Sequence, residues 1–401
     1  MNHVIAMILD GEYTIDPRVI KEAQILKDAG FHVHVLCYAH DRKSALYEII
    51  DDVHVHRFLV SKKWTDTIFG LNNSLPFFNW LWSRQIKRLI TRINPTSIHA
   101  NDLYMIQPAR KAIGRKPVYL IADLHENFAD AIFTFTWATR FPQKLIVRPK
   151  MWERKEKRLL KSCHRIIVLS DEFRDYLSIK HQIDPDKFFV FPNVPEYVNE
   201  DSCKGTIVNL KKNPDDFVFL YIGRVALRRG IQYVLDAMKV IMQKTEKIRF
   251  VVIGPLDKLD KEWFLKEITN PRISSNIEYF PWKEPSDLPN YIMASDACIS
   301  PLIKNPQHES GVANKVFQSL MYGKPVMASD CLPQANLLVN NSCGMVYRYD
   351  DVNELANAML EMAASPELLK EFGINGRRII TEKYNSAYYG KNLIQLYSSL
   401  D

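Results

Sequence analysis

The feature that most limits what this chain can become is a repeated alternation of short β-rich apolar runs with stretches of helical spacing. Val4–Leu9 leads into a segment from Asp16 to Asp28 whose apolar positions Val19, Ala23 and Leu26 recur at helical intervals. Gly30 stops that helix, and Val33–Cys37 reads as the next strand. Further strands are predicted at Val53–Phe58, Ser97–Ala100, Val118–Asp123, Arg165–Leu169 and Phe188–Phe191. After the polar stretch Asn199–Gly205 the rhythm restarts with a strand at Phe217–Ile222 and a helix at Ile231–Met242. Strands at Arg249–Ile253, Ile277–Phe280 and Ala297–Ser300 follow, then a helix near Asn314–Met321 and a strand at Pro325–Ala328. Parallel sheets of βαβ units are what this pattern builds, and 401 residues are too many for one ordinary core. Two consecutive Rossmann-like halves are therefore expected.

Several function classes drop out early. Neither half carries Gly-x-Gly-x-x-Gly after its first strand, and there is no Walker-type Gly-Lys-Ser, which disfavours dinucleotide oxidoreductases and P-loop enzymes. The apolar runs fall far short of the ~20 residues that span a bilayer. Met1-Asn2-His3 passes straight into Val4–Leu9 with no basic leader, so a secretory signal is not expected. The six cysteines are scattered, without a Cys-x-x-Cys pair, which suits a reduced cytoplasmic compartment with neither disulfides nor zinc. Charge is uneven: residues 1–195 hold 29 basic against 21 acidic side chains, the remainder 24 against 25. A basic half suits an anionic membrane surface or lipid diphosphate; the alternative is plain solubilising charge.

Ligands of open parallel sheets lie beyond the carboxyl ends of the strands, so the residues just after each strand are the candidates. Gly223-Arg224 and Arg228-Arg229-Gly230 follow one strand and precede a helix, an arrangement suited to a diphosphate. The segment Pro301–Asp330 runs from a strand through an irregular loop into a helix. Its free N–H groups near Ser310, Gly311 and Val312 suit phosphate oxygens, Lys315 adds charge, and Glu309 and Gln318 suit sugar hydroxyls. Asp123-Leu124-His125-Glu126 closes a strand of the first half and supplies a histidine beside carboxylates. Asp16-Pro17-Arg18 starts the first helix, with Arg18 directed either into a cleft or to the surface. Asp184-Pro185-Asp186 reads as a turn, and no metal is assigned. The aromatics from Trp64 to Trp82, followed by Arg84, Lys87, Arg88 and Arg92, read either as a membrane anchor or as ordinary core. A second aromatic stretch, Phe128–Phe141, follows His125-Glu126.

Taken in order, these motifs resemble the retaining nucleotide-sugar glycosyltransferases of family 4, nearly end to end. The similar segments are Asp16-Pro17-Arg18, Asp123-x-His125-Glu126, Phe191-Pro192-Asn193, Gly223-Arg224 with Arg229-Gly230, Ala294-Ser295-Asp296, Gly323-Lys324-Pro325-Val326 and Asn375-Gly376-Arg377. The resemblance implies the α/β GT-B fold: two Rossmann-like domains with parallel sheets facing an interdomain cleft, and a C-terminal helix crossing back. Residues 1–198 would bind the acceptor, 206–384 the donor, and 385–401 would return to the first domain. By resemblance Arg224 and Arg229 grip the donor diphosphate, although a lysine is common at the second position. His125 would lie near the transferred sugar, and Arg18 and Glu126 on the acceptor side. The family's paired glutamates fall on Ser310 and Gln318, so Gln318 would hold the ribose and Glu309, one place early, the donor sugar. The implied activity is metal-independent, cofactor-free transfer with retention to a glycan or lipid-linked acceptor in surface polysaccharide or glycoconjugate assembly. It would proceed in the cytoplasm or on the inner membrane face, with no nucleic-acid partner. An epimerase of similar shape, or a non-catalytic sugar-binding relative, is the alternative.

Overall fold

The computed structural model describes residues 3–400 apart from 42, 73–74, 135–137, 139–140, 142–146, 196–207, 209 and 211. The chain divides into two compact units: Met1–Pro192 with Tyr389–Asp401, and Asn193–Tyr388. The expected linker and most of the aromatic stretch 128–141 beyond Thr134 lie outside the described residues.

The first unit is built on an eight-stranded sheet. Its strands are β1 (Val4–Ile8), β2 (His32–Ala39), β3 (Tyr47–Ile50), β4 (Val53–Leu59), β5 (Ser97–Asn101), β6 (Tyr119–Asp123), β7 (Arg165–Val168) and β8 (Phe188–Val190). They lie in the order β3-β4-β2-β1-β5-β6-β7-β8. Every pair is parallel except β3 with β4, a hairpin closed by Asp51 and Asp52, both at positive φ. Helix α1 (Pro17–Asp28) starts at Asp16, whose side chain accepts from Arg18 N and Val19 N. Helix α2 (Phe77–Ile93) buries Phe78, Trp82, Ile86 and Leu89, and Trp82 Nε1 donates to Tyr38 Oη at 2.8 Å. Its other face leaves Phe77 and Trp80 more than half exposed. The core reading of the aromatic segment therefore holds for one side of this helix, and the other side leaves aromatics exposed.

The second unit carries β9 (Phe217–Ile222), β10 (Ile248–Ile253), β11 (Ile277–Phe280), β12 (Ala297–Ser300), β13 (Val326–Ser329) and β14 (Gly344–Tyr347). Their order is β11-β10-β9-β12-β13-β14, all parallel. Helix α3 (Ile231–Ile241) packs Ile231, Val234, Leu235 and Met238 onto this sheet. Helices α4 (Asn314–Met321) and α5 (Leu332–Asn340) follow β12 and β13. The last helix, α6 (Ser386–Ser398), belongs to the first unit from Tyr389 onward, with Leu393, Leu396 and Tyr397 buried. Gly390 lets it approach α1, since a Cβ there would lie 3.2 Å from the Ile25 side chain. In each sheet the winding reverses beside the first strand, between β1 and β5 and between β9 and β12, the places at which open α/β sheets as a class bind ligands.

Candidate functional site

In the first unit the reversal point gathers a buried set of charges. Arg18, in the first turn of α1, donates from Nε and Nη2 to the two oxygens of Asp123, at 3.0 and 2.7 Å. Its Nη1 donates to the Phe191 carbonyl at 3.0 Å, and Nη2 lies 3.0 Å from Glu22 Oε1. Arg18 thus points neither to the surface nor to open space; its guanidinium is taken up by Asp123, Glu22 and Phe191. Asp123 ends β6, and its Oδ2 also receives His125 Nε2 at 2.7 Å. Asp102, just past β5, places Oδ2 3.9 Å from His125 Nδ1.

Burial opposes the charge on His125, but Asp102 and Asp123 outweigh it and raise its pKa to about 9. Burial likewise opposes the charge on Asp123, and Arg18 and His125 overcome it, so this carboxylate titrates well below the usual range. Glu22 is pushed up to about 7, by burial first, with Arg18 pulling the other way. His125 is accordingly a fixed imidazolium at neutral pH, a hydrogen-bond donor with charge behind it. Asp102 has φ 71° and ψ 153°, backbone that glycine favours and that other residues hold only under constraint. Glu126 is half-buried. Among the described residues Glu22, His99 and Asp123 converge closely enough to suit a cation, but Arg18 already supplies positive charge there. Asp184 caps the turn Pro185–Lys187, as its spacing predicts.

In the second unit the loop after β9 and the start of α4 build an electropositive site. Gly223 has φ 138°, and a Cβ there would sit 3.8 Å from Lys315 Nζ. Gly230, between Arg229 and α3, has φ 80°; a Cβ would fall 1.6 Å from the Pro301 carbonyl oxygen. Only glycine lets these segments close on each other. Lys315 Nζ stands 3.7 Å from the centre of the Tyr221 ring, and Tyr221 Oη donates to the Arg224 carbonyl at 2.7 Å. Among the described residues no carboxylate pairs with Lys315. Burial, and then Arg229, hold its ammonium well below the usual lysine range. Arg224 is exposed and Arg229 half-buried. No side chain caps α4, whose first turn follows Ser310, Gly311, Val312 and Ala313. Gly311 is extended there, a conformation open to any residue.

The glutamate and glutamine of this segment diverge. Glu309 Oε1 accepts from Leu332 N at 3.2 Å, at the start of α5, whereas Gln318 is half-buried within α4. Ser310 is buried and its hydroxyl donates to the Gln307 carbonyl. Sequence reading missed His308, which is buried and holds Nδ1 2.7 Å from the Ile303 carbonyl oxygen. Burial, with Arg229, Arg228 and Lys315 beside it, lowers its pKa to about 4, a further mark of positive potential. It missed Asp102 and Glu22 as well. The four-residue step from Arg18 to Glu22 along α1, and the position of Asp102 after β5, were the available signals.

Two family models match the chain. One, described as Glycosyltransferase Family 4, covers residues 18–194; the other, Glycosyl transferases group 1, covers 206–379. A capsular polysaccharide biosynthesis glycosyltransferase, CapM of Staphylococcus aureus, is 22% identical over 46% of this chain and 47% of its own. An alpha-monoglucosyldiacylglycerol synthase of Acholeplasma laidlawii is 20% identical over 80% of this chain and 79% of its own. The chain thus spans about half of the first of these relatives and most of the second. Among solved structures, sucrose-phosphate synthase from Thermosynechococcus elongatus superposes with a TM-score of 0.77 at 18% identity, covering 100% of this chain and 99% of that one. Anabaena HepE, solved with UDP and glucose, gives 0.70 at 15% identity, covering 99% and 100%. These likenesses carry the GT-B fold.

Proposed function

The chain belongs to the family 4 glycosyltransferases, and from that premise we propose that it moves a sugar from a nucleoside-diphosphate donor to a glycan or lipid-linked acceptor. One observation carries the proposal: Lys315, without a carboxylate partner among the described residues, stands at the winding reversal of the second sheet. Burial and Arg229 disfavour its charged form, and an anion beside it would favour the ammonium again. Arg224, Arg229 and the uncapped first turn of α4 add positive charge around it. Together they suit the departing diphosphate and do there what a metal ion otherwise does. Gln318 is assigned to the ribose and Glu309 to the donor sugar, the latter by giving up its bond to Leu332. His125, charged and carried on Asp123, is assigned to a hydroxyl of the transferred sugar, with Glu126 on the acceptor side and Arg18 supporting Asp123.

Retention follows in this reading from a front-face path, in which the leaving phosphate oxygen accepts the proton of the acceptor hydroxyl. The names of the relatives favour surface polysaccharide or glycolipid assembly. Incubation with a panel of nucleotide sugars, followed by proton NMR of the released or transferred sugar, tests this. Consumption of one donor, with the anomeric configuration kept and EDTA without effect, is expected. An inverted product, or activity abolished by EDTA, contradicts the mechanism. A nucleotide bound but never consumed points instead to a non-catalytic relative.

A further inference from the structure

The His125 side chain hangs on one oxygen. Asp123 Oδ2 receives His125 Nε2 at 2.7 Å and Arg18 Nε at 3.0 Å, and it faces His99 Nε2 at 3.6 Å. His99, on β5, has no exposed surface. Its Nδ1 lies 2.7 Å from the Tyr397 hydroxyl of α6, with the two rings within 10° of parallel. Its Nε2 also lies 3.4 Å from Glu22 Oε2. The groups facing His99 are thus Glu22, Asp123 and Tyr397; those facing His125 are Asp102, Asp123 and Arg18.

An imidazole with a single proton has two choices here. With the proton on Nδ1, a bare Nε2 lone pair would face two carboxylates away from water. With it on Nε2, the N–H faces the carboxylates, and Nδ1 accepts from the tyrosine O–H. Burial, and then Glu22 and Asp123, keep the Tyr397 hydroxyl protonated far above the ordinary tyrosine range, so it remains a donor.

We propose that Tyr397 is a positioning residue for His125: its O–H donates to His99 Nδ1 and fixes the Nε2–H form of that ring, so that an N–H rather than a lone pair faces Asp123, the carboxylate that carries His125. The last helix is thereby part of the support of the site rather than a packed tail. This rests on the role given to His125 above, but it is tested by reading protons, not sugar transfer.

Nitrogen NMR of the full chain labelled at histidine provides the test, with His125→Gln and His99→Gln used to assign the two rings. The expected wild-type result is His99 protonated on Nε2 alone, with His125 protonated on both nitrogens and losing a proton near pH 9. Tyr397→Phe keeps the ring and removes the hydroxyl. It is expected to mix the two forms of His99 and move the His125 midpoint by roughly half a pH unit or more. A variant that only melts earlier, with the His125 midpoint unmoved, overturns the proposal. So does a wild-type His99 protonated on Nδ1, alone or with Nε2, even if the variant fails to fold. Absence of any sugar transfer would contradict the proposed function and leave these signals as they are.

Discussion

Gly230 shows how much one residue decides in the second unit. A Cβ would meet the Pro301 carbonyl oxygen at 1.6 Å, and φ of 80° is unfavourable for any other side chain. Gly230→Ala is expected to destabilise the unit by about 3 kcal/mol or more, seen as an earlier urea midpoint. An unchanged midpoint would mean that the loop relaxes freely. His125 makes a second prediction, in pH. Its pKa is near 9 when folded and near 6.5 when unfolded, so the folded state binds the extra proton between those values. The stability it contributes is complete below about pH 6.5 and is lost as pH rises through 9. The melting temperature of the first unit should therefore fall over that interval, and His125→Gln should flatten the fall. A melting temperature that rises with pH there would contradict the charge assignment. At this scale the sequence shows His125, Arg224 and Lys315 as candidates by position after strands. It does not show that Arg18 is buried, because its partner Asp123 lies 105 residues away.

At the scale of elements, α2 carries a contrast between two tryptophans. Trp82 is fully buried and bonded to Tyr38, whereas Trp80 is 56% exposed with Arg84 over its ring. Trp82→Ala is expected to cost about 3–5 kcal/mol, and Trp80→Ala about 0.5 kcal/mol or less. The exposed face, with Trp64 and Phe77 nearby in sequence and Arg84, Lys87 and Arg88 along the helix, is the one we propose for contact with an anionic membrane surface. Flotation with phosphatidylglycerol vesicles at low salt should carry the wild type upward, and Trp80→Ala with Lys87→Glu and Arg88→Glu should stay below. Equal flotation of both removes that assignment. Most strands and helices were legible because buried parallel strands are continuous apolar runs. β3 was not: its residues alternate between half-buried and exposed, and a turn of two aspartates joins it to β4. β14 escaped because Gly344–Tyr347 opens on glycine, which strands disfavour, and leaves Met345 and Val346 only half-buried.

For the molecule as a whole, two βα sheets were readable from the recurrence of strand and helix, with the ends of the strands that were read falling within a residue or two. The order of strands was not, since it depends on which runs pair across long separations. The site was legible in part: the alternation locates the loops after β6, β9 and β12, and the resemblance names their roles. The buried back of the His125 site was hidden, because Glu22, His99 and Tyr397 come together only through the fold. So was the bond from Glu309 to Leu332, which depends on how α5 follows β13. The central claim is that the second unit holds a nucleoside diphosphate on Lys315. Calorimetric titration of the full chain with UDP, GDP and ADP tests it most directly. The account predicts saturable binding of at least one of them, weakened by about tenfold or more in Lys315→Met. Binding of none, or equal affinity in the variant, would contradict it.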